Sequence, residues 1–264
     1  MFQKVFLRIS LPVFCLGLWL SAPAQDKPLP DELKPFLFPG HEALDFITGD
    51  LNGDMKPDAI LIQRVIGEDT LLEDDYTRPL LILVRQANNT LKQVVRNDSA
   101  ILCRRCGGVF GDPYESGRIE KNGFSLYFYG GSAERWAYEY RFAWKPLKRD
   151  WLLVLESQTT FNANDPEMKM TEVTIKENEL GPVSIKKFNA TPVYEDSRWK
   201  VIAARTFFYT NPDPGSKPRK GYLVKGNVAT GIRQLKNFIE VGFENEKSEY
   251  TTGYIRRKDL QKIK

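Results

Sequence analysis

Asp50, Asn52, Asp54 and Asp58 place oxygen-bearing side chains at positions one, three, five and nine of the loop Gly49-Asp50-Leu51-Asn52-Gly53-Asp54-Met55-Lys56-Pro57-Asp58. The loop opens at once into the apolar run Ala59-Ile60-Leu61-Ile62. Calcium takes several hard oxygen ligands, and alternate positions of one acidic loop can supply them with a main-chain carbonyl completing the set. Here the carbonyl of Lys56 is the fifth donor. Position twelve is Leu61, not Glu, so the loop is not a helix-flanked EF-hand. The same acids could instead cap main-chain N–H groups in a metal-free turn.

A second group with chemical potential is Cys103 and Cys106, which flank Arg104-Arg105. In an oxidising compartment an even pair reads as a disulfide. The neighbouring arginines would lower thiol pKa values and so suit a redox dithiol, but Gly107-Gly108-Val109-Phe110-Gly111 follows as a turn where such a site wants a helix start. Free thiols are the third outcome. A zinc site would need four ligands and only His41 could join the pair. Covalent haem would need His where Gly107 stands.

Histidine-assisted hydrolysis has only His41 to draw on, in the turn Phe38-Pro39-Gly40-His41-Glu42, where it reads as a surface residue. Asp112, Glu115, Glu134 and Glu139 lie among Gly-rich and aromatic segments and are the candidates for a carboxylate pair of the glycosidase kind. No Gly-rich phosphate loop joins a strand to a helix. The expectation is a protein that is not an enzyme, with thiol redox chemistry and carbohydrate-active catalysis as the alternatives.

The elements that must hold these groups are strands. Short apolar or alternating runs bounded by Gly, Asn, Asp and Pro predict strands at 43–48, 59–64, 79–85, 91–96, 116–121, 124–129, 135–144, 151–155, 171–175 and 183–188. The clearest is 135–144, where Trp136, Tyr138, Tyr140, Phe142 and Trp144 alternate with charged or small residues. That row could be a sugar-stacking platform, but core packing is the expectation. A Gly130-Gly131-Ser132-Ala133 connection predicts a hairpin with 124–129. No stretch predicts a helix longer than about two turns. From 181 to 200 the pattern weakens, as between domains, and strand character returns at 201–209, 221–228, 237–243 and 252–260. The fold class is therefore mainly β: an antiparallel sheet domain plus a small carboxy-terminal β-barrel.

Gly-Asp-Leu-Asn-Gly-Asp followed by Pro-Asp-Ala-Ile-Leu-Ile resembles the FG-GAP or VCBS repeats of propellers and bacterial surface proteins, in which such a loop enters a strand. The likeness is close over about fifteen residues and looser from 25 to 165. Met55 stands where that family has Gly, and a left-handed conformation there would cost about 1–2 kcal/mol. The loop occurs once, which argues against a complete multi-bladed propeller. Cys106-Gly107-Gly108-Val109-Phe110-Gly111-Asp112-Pro113 is similar to a motif of uncharacterised exported bacterial proteins. The segment 203–264, with Tyr222-Leu223-Val224-Lys225-Gly226, Phe238-Ile239-Glu240-Val241 and the final Gly253-Tyr254-Ile255 before a basic run and Asp259-Leu260, resembles a bacterial Src-homology-3-like domain. That resemblance implies binding of a peptide or cell-wall polymer, with Tyr209, Tyr222 and Tyr254 as candidate contacts.

Residues 1–24 carry Lys4 and Arg8, an apolar stretch and the small-residue site Ala22-Pro23-Ala24, the features of a secretory leader cut after Ala24. The apolar stretch is shorter than the roughly 20 residues that span a bilayer. The expectation is an exported protein, periplasmic or secreted, not membrane-spanning, with domains at 25–200 and 203–264. The chain's net charge is +4, too small to suggest nucleic acid as a partner, but residues 205–264 hold thirteen Lys or Arg against six Asp or Glu. A basic terminal domain suits an anionic cell-surface polymer. The functional expectation is a non-enzymatic binding or scaffolding protein of the cell envelope, stabilised by calcium.

Overall fold

The computed structural model describes residues 28–71, 76–191 and 197–263, so the leader expected at 1–24 lies outside the described residues. The architecture is mainly β and antiparallel. A first sheet is the meander β1 (His41–Gly49), β2 (Asp58–Val65), β3 (Leu80–Arg85) and β4 (Leu91–Asn97). The first six residues of β2 are all buried because both faces of this sheet are covered. Ile60, Ile62, Leu80 and Ile82 face a second sheet. Ala59, Leu61, Leu81 and Leu83 face the amino-terminal segment through Leu29, Leu33, Phe36, Leu37 and Phe38. That segment is pinned by Gln63, whose side chain accepts from the Phe38 N–H at 2.8 Å and donates to the Phe36 carbonyl at 3.0 Å. Arg85 also pins it by donating to both oxygens of Glu32.

The second sheet runs in order β5 (Tyr114–Glu120), β6 (Gly123–Gly131), β7 (Glu134–Lys145), β8 (Asp150–Asn162) and β9 (Thr171–Lys176). β6 and β7 form the expected hairpin, with Ser132-Ala133 as its loop. The aromatic row of β7 is core: Tyr140 and Phe142 are buried, and Trp136, Tyr138 and Trp144 pack against the cluster that joins the two sheets. Phe124 of β6 stacks on its cross-strand partner Phe142 with centroids 5.0 Å apart.

A third sheet has the order β15-β14-β13-β10-β16, formed by β10 (Ser197–Val201), β13 (Val228–Gln234), β14 (Phe238–Glu244), β15 (Tyr250–Arg256) and β16 (Leu260–Ile263). A short ribbon of β11 (Arg205–Phe207) and β12 (Tyr222–Val224) accompanies it, and a 3-10 turn at Arg257–Asp259 precedes β16. Trp199, Val201, Ile239, Val241, Ile255 and Leu260 are among its core residues.

Three expectations need correction. Residues 183–188 are not a strand: Ser184 makes one isolated bridge to Leu152 and its side chain then caps a 3-10 turn at Ile185–Lys187. Ile185 and Phe188 both enter the core, and their spacing of three residues is that of a turn, not of a strand. Residues 197–200 are not part of the connection between sheets, because Ser197–Lys200 pairs with β13 and Arg198–Val201 with β16. The carboxy-terminal sheet thus begins at Ser197, upstream of the division at 200–203. Finally β8 extends to Asn162, well past residue 155.

The β2–β3 connection of the first sheet and the β4–β5 connection that leads to the second meet at Arg78, which is fully buried. Its guanidinium donates to Glu68 at 2.7 and 2.9 Å, to both oxygens of Asp112 at 2.7 Å, and to the Leu102 carbonyl at 3.3 Å. Removing one member of a buried charge network strands the others without a partner, at about 3–5 kcal/mol. Arg78→Met is therefore expected to lower stability by about that amount, read as a lower urea midpoint with an unchanged slope. A loss below about 1 kcal/mol would show that Glu68 and Asp112 find other partners.

Candidate functional site

The β1–β2 loop brings its acids together. One carboxylate oxygen each from Asp50, Asp54 and Asp58 lie within 4.8 Å of one another. The loop's shape follows from its own side chains. Asp50 accepts from the N–H groups of Asn52, Gly53 and Met55 at 3.2, 2.7 and 2.9 Å. Asn52 accepts from Asp54 N–H at 2.9 Å, and Asp54 from Lys56 N–H at 3.0 Å. Asp58 is wholly buried and accepts from the N–H groups of Leu51 and Arg85 at 3.0 and 2.9 Å. The bonds made by Asp50, Asn52 and Asp54 to the N–H two residues on are those of a succession of Asx turns, while those of Asp58 tie distant points of the sheet together. They leave further lone pairs on each carboxylate, since an ionised Asp has about four acceptor positions.

The electrostatics of the loop are unbalanced. Burial pushes the Asp58 carboxyl above its usual range; the N–H groups of Arg85 and Leu51 oppose this, and the charges of Asp54 and Asp50 add to it. Asp50 moves the other way: desolvation would raise it, but the N–H groups of Met55, Gly53, Asn52 and Asp54 together hold it below the ordinary carboxylate range. Hard oxygen donors from one buried, one half-buried and one exposed carboxylate, held close together, are of the kind calcium takes. Among the described residues no other group of three or more His, Cys, Asp or Glu side chains meets the same closeness.

The loop is also seated against the second sheet. Leu51 is fully buried and its carbonyl accepts from Trp151 Nε1 at 2.8 Å. A Cβ on Gly53 would stand 2.8 Å from Asn122 Oδ1. Met55 has φ +63° and is 92 % exposed, so its side chain meets the left-handed penalty and returns no packing. Met55→Gly is expected to raise stability by about 0.5–1 kcal/mol after the glycine's greater unfolded-state entropy is subtracted. A calorimetric melting temperature that falls in this variant would overturn that account.

Cys103 and Cys106 form a disulfide across a turn, with Cα atoms 5.1 Å apart. The glycines that follow press backbone on backbone against the β6–β7 hairpin. A Cβ on Gly107 would stand 2.5 Å from the Gly111 carbonyl oxygen, and one on Gly108, at φ +66°, 2.8 Å from that of Gly131. The motif is thus a close-packed clasp with Cys106 exposed on its outer side.

The other residues named from the sequence are dispersed. His41 Nδ1 lies 3.1 Å from the Pro39 carbonyl, and its ring meets Phe38 edge-on. Asp112 is held by Arg78 and Glu139 by Arg141 at 2.7 Å, while Glu134 accepts from Asn162. Glu115 and Glu139 line an open depression on the outer face of the second sheet, not an enclosed pair. Tyr209 and Tyr254 are buried, packed with Ile175, Leu235 and Phe238 where the third sheet meets the second. Tyr222 is exposed beneath the guanidinium of Arg205.

Two features bring together residues far apart in the chain, and of the second the sequence showed only the basic run at 256–258. Glu156 of β8 receives two bonds from Arg233 of β13, at 2.6 and 2.8 Å, and with Glu240 they line a cavity of about 270 Å3 beside Tyr138 and Tyr140. Burial raises the Glu240 carboxyl; Arg233 opposes, Glu156 adds, and the Tyr254 hydroxyl opposes. The second feature is a cleft of about 540 Å3 at the edge of the third sheet, lined by Lys236, Arg256, Arg257 and Lys258 with Pro214, Asn237 and Phe238. The chain matches no family model, and no curated protein and no solved structure matches it.

Proposed function

We propose that the protein is an exported, non-enzymatic binding or scaffolding component of a bacterial cell envelope, built from an FG-GAP-like part and a Src-homology-3-like part. The observation that carries this reading is the engagement of its chemistry-bearing side chains. Cys103 is bonded to Cys106, Asp112 lies on Arg78, Glu139 on Arg141 and Glu156 on Arg233, so each holds structure together. The strand order of the third sheet, with a 3-10 turn before its last strand, supports the Src-homology-3-like reading. The acidic loop that opens directly into β2 supports the FG-GAP-like one. Among the described residues no helix is long and apolar enough to cross a membrane.

The two parts also act as one body. Glu179, almost wholly buried, takes the Asn237 main-chain and side-chain N–H groups at 2.9 and 2.7 Å. Together with the Glu156–Arg233 pair and the Tyr209–Tyr254 cluster, this fixes how the carboxy-terminal part presents its surface. Such rigidity suits a protein that holds a partner, because less freedom is lost on binding. With isolated cell-envelope fragments the protein is expected to co-sediment and to release no soluble sugar or peptide. Release of soluble sugar, abolished by Glu156→Gln or Glu240→Gln, would replace this reading with a carbohydrate-active enzyme, and release of peptide would overturn the non-enzymatic reading as well.

In the first part, calcium would be held by Asp50, Asn52, Asp54 and Asp58 with the Lys56 carbonyl, and would offset the repulsion around Asp58. At a hundredfold excess over its dissociation constant it is expected to add about 2.7 kcal/mol, or roughly 5–10 °C in melting temperature for a domain of this size. Asp54→Ala should remove that shift. Asp58 and Asp50 act with opposite signs: a carboxyl raised in the folded state, as at Asp58, contributes stability below its unfolded value, near 3.9, and loses it as pH rises through the folded value, whereas Asp50, held low, loses its contribution as pH falls. In chelator the Asp58 contribution therefore falls as pH rises from about 4, and the calcium shift is largest near neutrality and vanishes on acidification. Equal melting in calcium and chelator at pH 7 would remove the metal.

A further inference from the structure

We propose that the cleft formed by Lys236, Arg256, Arg257 and Lys258 binds a phosphate-bearing polyanion. This rests on the reading of the molecule as a binding protein and specifies the chemistry of its ligand. The cleft lies between the β13–β14 turn and the segment where β15 passes into the 3-10 turn, over the buried ring of Phe238. Its lining contains four cations and no carboxylate.

Four cations thus share one cleft with no acidic side chain in its wall. Arg64, Arg78, Arg85, Arg96, Arg104, Arg141 and Arg233 each face a carboxylate within 4.0 Å. Among the described residues none of the four cleft cations has such a partner. The two arginines are positioned by neutral groups instead. Arg257 donates to the Leu235 carbonyl at 3.3 Å and to Gln234 Oε1 at 3.2 Å, and Arg256 lies over the Tyr209 ring at 5.2 Å. Held this way, each keeps its charge and has further N–H groups to offer, since a guanidinium carries five. Lys236 and Lys258 stand exposed on opposite walls as mobile point charges.

The arrangement favours phosphate. A planar carboxylate fills one guanidinium fork, whereas a tetrahedral oxyanion can be met by forks and point charges from several sides at once. The volume, about 540 Å3, admits several linked phosphate groups, and four like charges in one cleft repel until a ligand neutralises them. Docking of the third sheet on the second orders one wall, because the Lys236 N–H donates to the Glu179 carbonyl at 3.0 Å.

The test is titration of the full chain with short-chain inorganic polyphosphate, with orthophosphate and polyglutamate as comparison probes and released orthophosphate measured alongside. The parent is expected to bind polyphosphate more tightly than polyglutamate of equal charge, and orthophosphate weakest. Lys236→Glu with Lys258→Glu should weaken binding at least tenfold and flatten the fall of log K with log salt, since fewer counterions are released. Lys92→Glu with Lys121→Glu, the same charge change on exposed residues of the other sheets, should not. If both double variants lose affinity alike, or the cleft variant keeps it, the cleft is not the site. No binding by the parent, or preference for polyglutamate, also overturns the proposal. Orthophosphate released catalytically would instead sink the non-enzymatic reading while leaving the cleft in place.

Discussion

The buried guanidinium of Arg78 is the constraint on which the joining of the first two sheets depends. Two connections meet on it: that from β2 to β3 through Glu68, and that from β4 to β5 at two points, Leu102 and Asp112. Burial alone would lower its pKa, and the bonds and charges of Asp112 and Glu68 more than reverse that, so the pKa lies above the ordinary arginine value. Such a network adds little net stability compared with well-packed apolar residues. Its effect is on geometry: it fixes the run 101–113, and with it the disulfide turn and the glycine clasp, against the β6–β7 hairpin. The clasp in turn needs its glycines because main chain rests directly on main chain there.

What could be read in the sequence was what local pattern records. The run Ala59–Ile62 and the alternation at 135–144 each report burial on their own strand, and both became core. The acidic loop was legible for the same reason, since its spacing and all of its capping bonds but that from Arg85 are set within ten residues. The disulfide likewise spans a short loop. The misreadings come where pairing, not pattern, decides. The far half of β8, Glu156-Ser157-Gln158-Thr159-Thr160, is polar and is a strand because β7 and β9 hydrogen-bond it from both sides. Residues 183–188 have strand-like composition but lie where β8 makes only one bridge to them, and Asn97 takes the Ile185 and Phe188 carbonyls instead.

The tyrosines show how a resemblance and a neighbour can conflict. Tyr209 and Tyr254 would be free to meet a ligand on an isolated carboxy-terminal module, but here the second sheet covers them with Ile175 and Val173. The side chains that replace them at the surface are cations from the same strand ends, Arg256 standing over the Tyr209 ring. Docking therefore does two things at once. It removes an aromatic surface, and it leaves the charged rim as the exposed part of that module.

The acidic loop stands in a similar relation to its surroundings. Asp58 begins β2 while accepting from the first residue beyond Gly49-Asp50 and from Arg85 at the end of β3, so its carboxylate ties three points of the first sheet together. Leu51 and Gly53 contact Trp151 and Asn122 of the second sheet. A charge change at Asp58 is therefore not a surface event, because the loop cannot relax without disturbing the seam between sheets. The three carboxylates stand close together beside that seam, and a divalent cation held there would neutralise them. Bound there, calcium would act on the seam of the two-sheet body, and through β8 and Glu156 on the base to which the carboxy-terminal module is fixed.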